Sequence, residues 1–229
     1  MKRFFVKYIL LMLPVCSHAG SLNFNGIAGA GNYDVPVTTF AERRFKTIYK
    51  QQYDFSCGSA ALASLLTYHY DDTVDEQSVF TDMYKNGDQQ KIQKQGFSLL
   101  DIKLYLERRG YRSDGFKINL DQLLNAKAPA LTIINNNGYL HFIIIKGVNS
   151  EEVLVGDPAL GVKVMPRDEF EAMWGNRILF LIHGKKDIAA KHFQDQQEWA
   201  LRVKAPLGSA VDRASLGQFN MLQPGRWDF

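Results

Sequence analysis

The 229-residue chain has only two cysteines, Cys16 and Cys57. Two thiols cannot build a disulfide framework, and no Cys-x-x-Cys or His-Glu-x-x-His spacing is present to hold zinc. There is no G-x-x-x-x-G-K-[S/T] run, the phosphate cradle of nucleotide hydrolases, so neither ATP nor any other cofactor is expected. Charge of one sign is missing too: 27 basic side chains face 24 acidic ones, and nothing points to nucleic acid. The apolar run YILLMLPV near the N-terminus is far shorter than the roughly 20 residues of a membrane span.

That run follows Lys2, Arg3 and Lys7 and precedes SHAG, which puts Ser17 and Ala19 at positions minus three and minus one of a cleavage site. Residues 1–19 therefore read as a secretory signal peptide. A lipoprotein box ending in Cys16 is the rival reading, and Val15, standing where Gly, Ala or Ser is expected, weighs against it. Cleavage after Ala19 removes Cys16 and three of the 27 basic side chains, leaving 24 against 24 acidic ones and a single cysteine. The expected compartment is the periplasm.

Residues 20–40 form a Gly- and Asn-rich lead-in without periodicity, read as flexible. Residues 41–184 read as one α+β domain, and 185–229 as a C-terminal helix and tail. The segment VTTFAERRFKTIYKQ reads as an extended piece or a strand. A helix follows from about Cys57 to Tyr70, small or apolar on nearly every side and hence enclosed, with Ser56 as its N-cap. DEQSVFTDMYKN, FSLLDIKLYLERRG and NLDQLLNAK give further helices. PALTIINN, GYLHFIIIKGV, VLVGDP and GVKVMP read as strands, DEFEAMWGN as a helix and RILFLIHG as a last strand. Helices first and an antiparallel sheet afterwards make the α+β class. KKDIAAKHFQDQQEWALRVKAP reads as a charged helix with an apolar stripe through Ile188, Phe193, Trp199 and Leu201, and the C-terminal part as peripheral, a docking element or an unstructured end.

In an oxidising compartment an unpaired Cys57 is a buried thiol, an intermolecular link or a nucleophile. A nucleophile has to be ionised, which the amide dipoles of a helix N-terminus and a histidine partner both favour. His18 leaves with the signal. His69 lies 12 residues along the same helix, about 18 Å from Cys57 at 1.5 Å per residue. His192 falls in the charged helix, and His183 ends a strand and stays open as a partner, though no acid follows it in a pairing strand. His141 opens the strand HFIIIKGV, whose hairpin mate ends in Asp157. If the turn is centred near Ser150, paired positions sum to about 300, residue 141 faces 159, and Asp157 lies diagonally on the same face. A one-residue shift would separate them. Cys57, His141 and Asp157 are thus the candidate triad. Gln51 and Gln52 both stand close enough upstream to offer a side-chain amide to an oxyanion.

The run QQYDFSCGSAALASLL, followed by GFSLLDIKLYLERRGY, HFIIIKGV and VGDPALGV, resembles the C39 family of papain-like cysteine peptidases over roughly residues 45–184. The resemblance implies a papain-like fold, a catalytic Cys57, a general-base His141, an orienting Asp157 and an oxyanion-hole Gln51 rather than Gln52. Ser56 departs from the Asp that commonly precedes the family's cysteine. Familiar members are parts of exporters that cut leader peptides after Gly-Gly, whereas this chain carries a secretion signal and no exporter motifs. In size, motifs and C-terminal extension it is similar to the stand-alone exported type found with functional amyloid secretion systems. That likeness implies a periplasmic protease whose partner is a protein or peptide substrate within such a system. A C39-like module that binds a partner without cutting it is the alternative, and another thiol-dependent acyl transfer is a third reading.

Overall fold

The computed structural model describes residues 21–24, 33–36 and 38–201. The segment read as a signal peptide, Cys16 and the residues beyond 201 lie outside the described residues. The chain divides into two units, residues 1–43 and 44–229. In the first, β1 (Ser21–Phe24) pairs antiparallel with β2 (Tyr33–Pro36), where no strand was expected from periodicity. The segment read as an extended piece begins instead with the short helix α1 (Phe40–Arg44). Its start is a reciprocal cap: Thr39 Oγ1 accepts from Glu42 N–H and the Glu42 carboxylate accepts from Thr39 N–H at 2.7 Å.

The second unit is built on a six-stranded sheet of order β3-β8-β4-β5-β6-β7, antiparallel at every pairing. The strands are β3 (Arg112–Phe116), β4 (Ala130–Asn136), β5 (Tyr139–Val148), β6 (Glu152–Asp157), β7 (Gly161–Pro166) and β8 (Leu179–His183). Helix α2 (Cys57–His69) packs on one face, where Leu62, Leu65 and Leu66 meet Phe142, Ile144 and Leu154. The helices α6 (Leu120–Ala126) and α7 (Arg167–Met173) cover the other face against Ile143, Ile145 and Val155. Coverage on both faces explains why β5 is buried without a break from His141 to Val148.

The helices start where the sequence places acceptors. Asp75 caps α3 (Glu76–Asn86), Ser98 and Asp101 make a reciprocal box at α5 (Leu99–Arg108), and Asn119 does the same with Gln122 at α6. Helix α4 (Gln89–Gln95), capped by Asp88, and strand β3 escaped the sequence reading because neither shows a clear apolar period. The C-terminal segment is not one helix. It breaks into α8 (Lys186–Lys191) and α9 (Gln196–Trp199), because Gln194 takes a left-handed φ of 65° and Asp195 starts a new cap. Far from being peripheral, it buries Phe193, Glu198 and Trp199. No helix among the described residues is long and apolar enough to cross a membrane.

Candidate active site

Cys57 is the first residue of α2 and is buried, 5 % exposed, with no disulfide partner. Ser56 occupies the N-cap position, but its side chain caps nothing. The hydroxyl turns back to accept from Tyr53 N–H and donate to Tyr53 C=O, closing the turn that precedes the helix. The first amides of α2 are therefore left without a side-chain acceptor, which is the arrangement that favours an anion there. Gly58 lets this helix end approach the sheet, since a Cβ would stand 3.1 Å from Phe97 Cβ and 3.4 Å from the Phe142 ring.

His141 and Asp157 meet as the hairpin register requires. Ile144 faces Gly156 and Ile145 faces Val155, so paired numbers sum to 300 and Asp157 falls on the His141 face. The turn end of the same hairpin has a different register, with Val148 opposite Val153. A β-bulge between Ile145 and Gly147 absorbs the extra residue and restores the register at the site.

His141 Nε2 lies 2.7 Å from Asp157 Oδ1. The ionised carboxylate can only accept, so Nε2 carries the proton and Nδ1 is the nitrogen turned to other work. Nδ1 is buried with no other hydrogen bond, and Cys57 is the group whose charge and hydrogen-bonding capacity act on the ring beside Asp157. Burial by itself would lower the His141 pKa. Asp157 and Cys57 outweigh it and raise the value to about 9. Burial would likewise raise Asp157, but His141, Lys163 and the Ala159 amide hold it down at about 2. Asp157 is fixed on every side: Oδ1 also accepts from Ala159 N–H at 2.9 Å and Leu160 N–H at 3.2 Å, and Oδ2 accepts from Lys163 Nζ at 3.2 Å.

Gln51 reaches the same place from the segment ahead of α2. Its backbone N–H donates to Pro158 C=O at 3.0 Å, and its side chain is half-buried, with Oε1 enclosed and unpartnered. Gln52 is exposed. Of the four candidate residues, His141 bonds Asp157, Gln51 is tied beside Asp157, and Cys57 is among the groups that raise the His141 pKa.

Three neighbours were missed in the sequence. Tyr139 stacks on His141 with ring centroids 5.8 Å apart, donates its hydroxyl to Asp54 C=O at 2.7 Å, and interacts with the Gln51 side chain and the Cys57 charge. Its spacing of two from His141 on a strand is the signal that could have found it. Lys163 is found the same way, facing Val155 across β6–β7 and hence diagonal to Asp157. Glu76 had no such signal. It is buried beside the head of α2, with Ser59 Oγ donating to it at 3.4 Å, and burial raises its pKa.

The other histidines are placed elsewhere. His183 does have an acid in its pairing strand, contrary to the sequence reading: Asp114 of β3 lies 3.0 Å from its Nε2. Tyr70 OH, just past the end of α2, reaches Ile182 C=O at 3.5 Å, so this pair sits at the opposite end of the helix from Cys57. His192 contacts Asp71 at 3.2 Å, and no group of three or more metal-ligating side chains occurs among the described residues.

Residues 45–186 match the family model described as the Peptidase C39 family, more than half of the chain. The chain belongs to the peptidase C39 family. It is 41 % identical over 177 residues, 77 % of its length and 78 % of the relative's, to the "Probable functional amyloid protease FapD" of Pseudomonas fluorescens. It is 38 % identical over 183 residues, 80 % of both lengths, to the protein of the same description from Pseudomonas aeruginosa. The peptidase domain of Streptococcus ComA, a bifunctional ABC transporter, superposes with a TM-score of 0.51 at 19 % identity, covering 61 % of this chain and 98 % of that domain. That likeness speaks for the C39 fold alone, and the six-stranded antiparallel sheet flanked by helices agrees with it.

Proposed function

We propose that this C39 member is a cysteine endopeptidase with Cys57 as nucleophile, His141 as general base and acid, Asp157 as the orienting carboxylate and Gln51 in the oxyanion hole. The observation that carries the reading is the His141–Asp157 hydrogen bond through Nε2, which leaves Nδ1 free to serve a thiol at an uncapped helix N-terminus. His141 takes the proton of Cys57, and the thiolate attacks the peptide carbonyl carbon. The negative charge passes to the carbonyl oxygen, where the Cys57 N–H and the Gln51 carboxamide stabilise it. Collapse breaks the C–N bond as His141 returns its proton to the leaving amine. Water, deprotonated by His141, then attacks the thioester, and the carboxylic acid leaves with the thiol restored. Asp157 stays ionised throughout, as its depressed pKa of about 2 supports.

The reading of the substrate class is supported by the FapD likeness, which extends over some four-fifths of the chain. We infer a protein component of a functional amyloid system as the substrate. The compartment inferred from residues 1–19 is the periplasm, with cleavage after Ala19. The test incubates the protein and its Cys57→Ala variant, under mildly reducing conditions, with candidate secreted proteins of a functional amyloid system. Cleavage by the unsubstituted protein alone supports the proposal, and the product ends give the scissile bond. Binding without cleavage by either form rejects it in favour of a recognition module.

A further inference from the structure

The bulge that aligns His141 with Asp157 is built around a lysine in the core. Lys146 is the bulged residue of β5 and is fully buried, 0 % exposed. Its stem crosses Gly156, the residue before Asp157, where a Cβ would stand 3.0 Å from Lys146 Cδ. Its ammonium donates to Thr47 C=O at 3.2 Å, to Thr47 Oγ1 at 2.7 Å and to the Glu198 carboxylate. Thr47 also donates its hydroxyl to Glu198. Thr47 stands four residues before Gln51, so one ammonium joins three strips of chain: the approach to Gln51, the β5–β6 ladder and the C-terminal segment.

The bulge leaves backbone groups outside the regular ladder, and the C-terminal segment supplies their partners. Gln194 N–H donates to Lys146 C=O at 2.9 Å, and Gln194 Nε2 donates to Val148 C=O at 2.8 Å. Between those two carbonyls Gly147 lies under Trp199, whose ring would be 3.2 Å from a Cβ there. The charges around the ammonium are few. Burial lowers the Lys146 pKa, Glu198 and Asp195 work against that, and burial together with Lys146 and His192 holds His69 well below its ordinary value. Removing the counter-ion of a buried ammonium is costly, and the cost is met by loss of its proton or by a shift of the strand that carries it.

We propose that the segment Gln194–Trp199 is a positioning element of the active site. Its Glu198 neutralises Lys146 inside the core, the bulge is held, and His141 and Asp157 stay on one face of the β5–β6 hairpin. This rests on the peptidase reading for its purpose but not for its geometry. The segment lies beyond the family match, which ends at residue 186.

The test uses the full chain and needs no natural substrate. Iodoacetamide alkylation of the Cys57 peptide is followed by mass spectrometry, the downfield imidazole proton shared by His141 and Asp157 is followed by NMR, and folding is followed by thermal unfolding. Glu198→Gln keeps the shape and removes the charge. It should slow alkylation at neutral pH about tenfold and shift or broaden the imidazole signal in protein that remains folded. Adding an apolar partner change, Lys146→Met with Glu198→Leu, should bring both readouts back to within about twofold of the unsubstituted protein, because no buried charge is left to neutralise. If Glu198→Gln does not fold, Gln194→Ala, which removes the segment's side-chain donor to Val148 C=O, is read by the same criteria. Unchanged alkylation and imidazole signal in the folded single variant, or a folded double variant as impaired as the single one, overturns the proposal. If Cys57 of the unsubstituted protein reacts as an ordinary thiol, the peptidase reading fails instead, and the imidazole signal alone then decides the positioning role.

Discussion

Gln51 hangs its backbone N–H on the carbonyl of Pro158, at 3.0 Å, one residue beyond Asp157. The loop that fixes the orienting carboxylate therefore also fixes the residue assigned to the oxyanion. Asp157 holds that loop from inside, accepting the Ala159 and Leu160 amides, so the two ends of the proposed catalytic apparatus share one turn.

Gln51→Ala removes the side-chain donor and leaves this backbone bond in place. It should lower kcat by about 10²- to 10³-fold with KM little changed, since the donor acts where charge develops. Steady-state kinetics on a cleaved protein or peptide separates the two constants. A rise in KM at constant kcat would make Gln51 a substrate contact instead.

The pH dependence follows from His141, raised to about 9. In the proposed mechanism the imidazolium protonates the leaving amine, so kcat/KM should fall as pH rises through about 9. Asp157→Asn deletes the charge and weakens the hydrogen bond that keep the proton on His141, and the alkaline limb should move to lower pH. A full profile of both proteins measures the displacement.

The same pair links folding to pH. Asp157 is depressed from 3.8 to about 2, so the stability it contributes is complete above 3.8 and is lost as pH falls through about 2. His141 has the opposite sign: its contribution is complete below 6.5 and is lost as pH rises through about 9. Thermal unfolding of the protein and of Asp157→Asn should differ most between these windows and converge toward pH 2.

Gly161 closes the β6–β7 turn at φ 81°, and a Cβ there would stand 2.7 Å from Arg44 Cβ and 2.8 Å from its carbonyl oxygen. Gly161→Ala should cost about 1–3 kcal/mol of stability, through left-handed strain and this collision. Chemical denaturation measures it, and an unchanged midpoint would mean that the turn yields freely.

Tyr139 covers His141 on its solvent side while remaining 49 % exposed. Tyr139→Phe loses the hydrogen bond to Asp54 C=O but keeps the stacked ring, and should retain most activity. Tyr139→Ala uncovers the imidazole and should lower kcat/KM about tenfold. Equal losses in both variants would assign the effect to the hydroxyl instead.

Much of this site was legible because it rests on short-range rules. An apolar helix beginning at Cys57, a histidine entering a strand and an aspartate ending its hairpin mate are local patterns, and alternation by two carries the pairing of 141 with 157. The capping residues Asp75, Ser98 and Asn119 announced their helices in the same way. Segments without a strong period, α4 and β3, were silent, and Thr39–Glu42 made a helix start where an extended piece was read.

What the sequence by itself determined was the class of the fold, the order of its strongly periodic elements and three of the residues that converge, Cys57, His141 and Asp157, with Gln51 and Gln52 both open for the fourth place. Only the tertiary structure decided how they converge. The hairpin turn is offset by one residue from the register that the site needs, and the bulge at Lys146 corrects it. The reason for that correction lies in contacts more than fifty positions apart, between Lys146, Thr47 and Glu198. Buried charge is satisfied by whatever the fold brings near it, and no local period in a sequence records that.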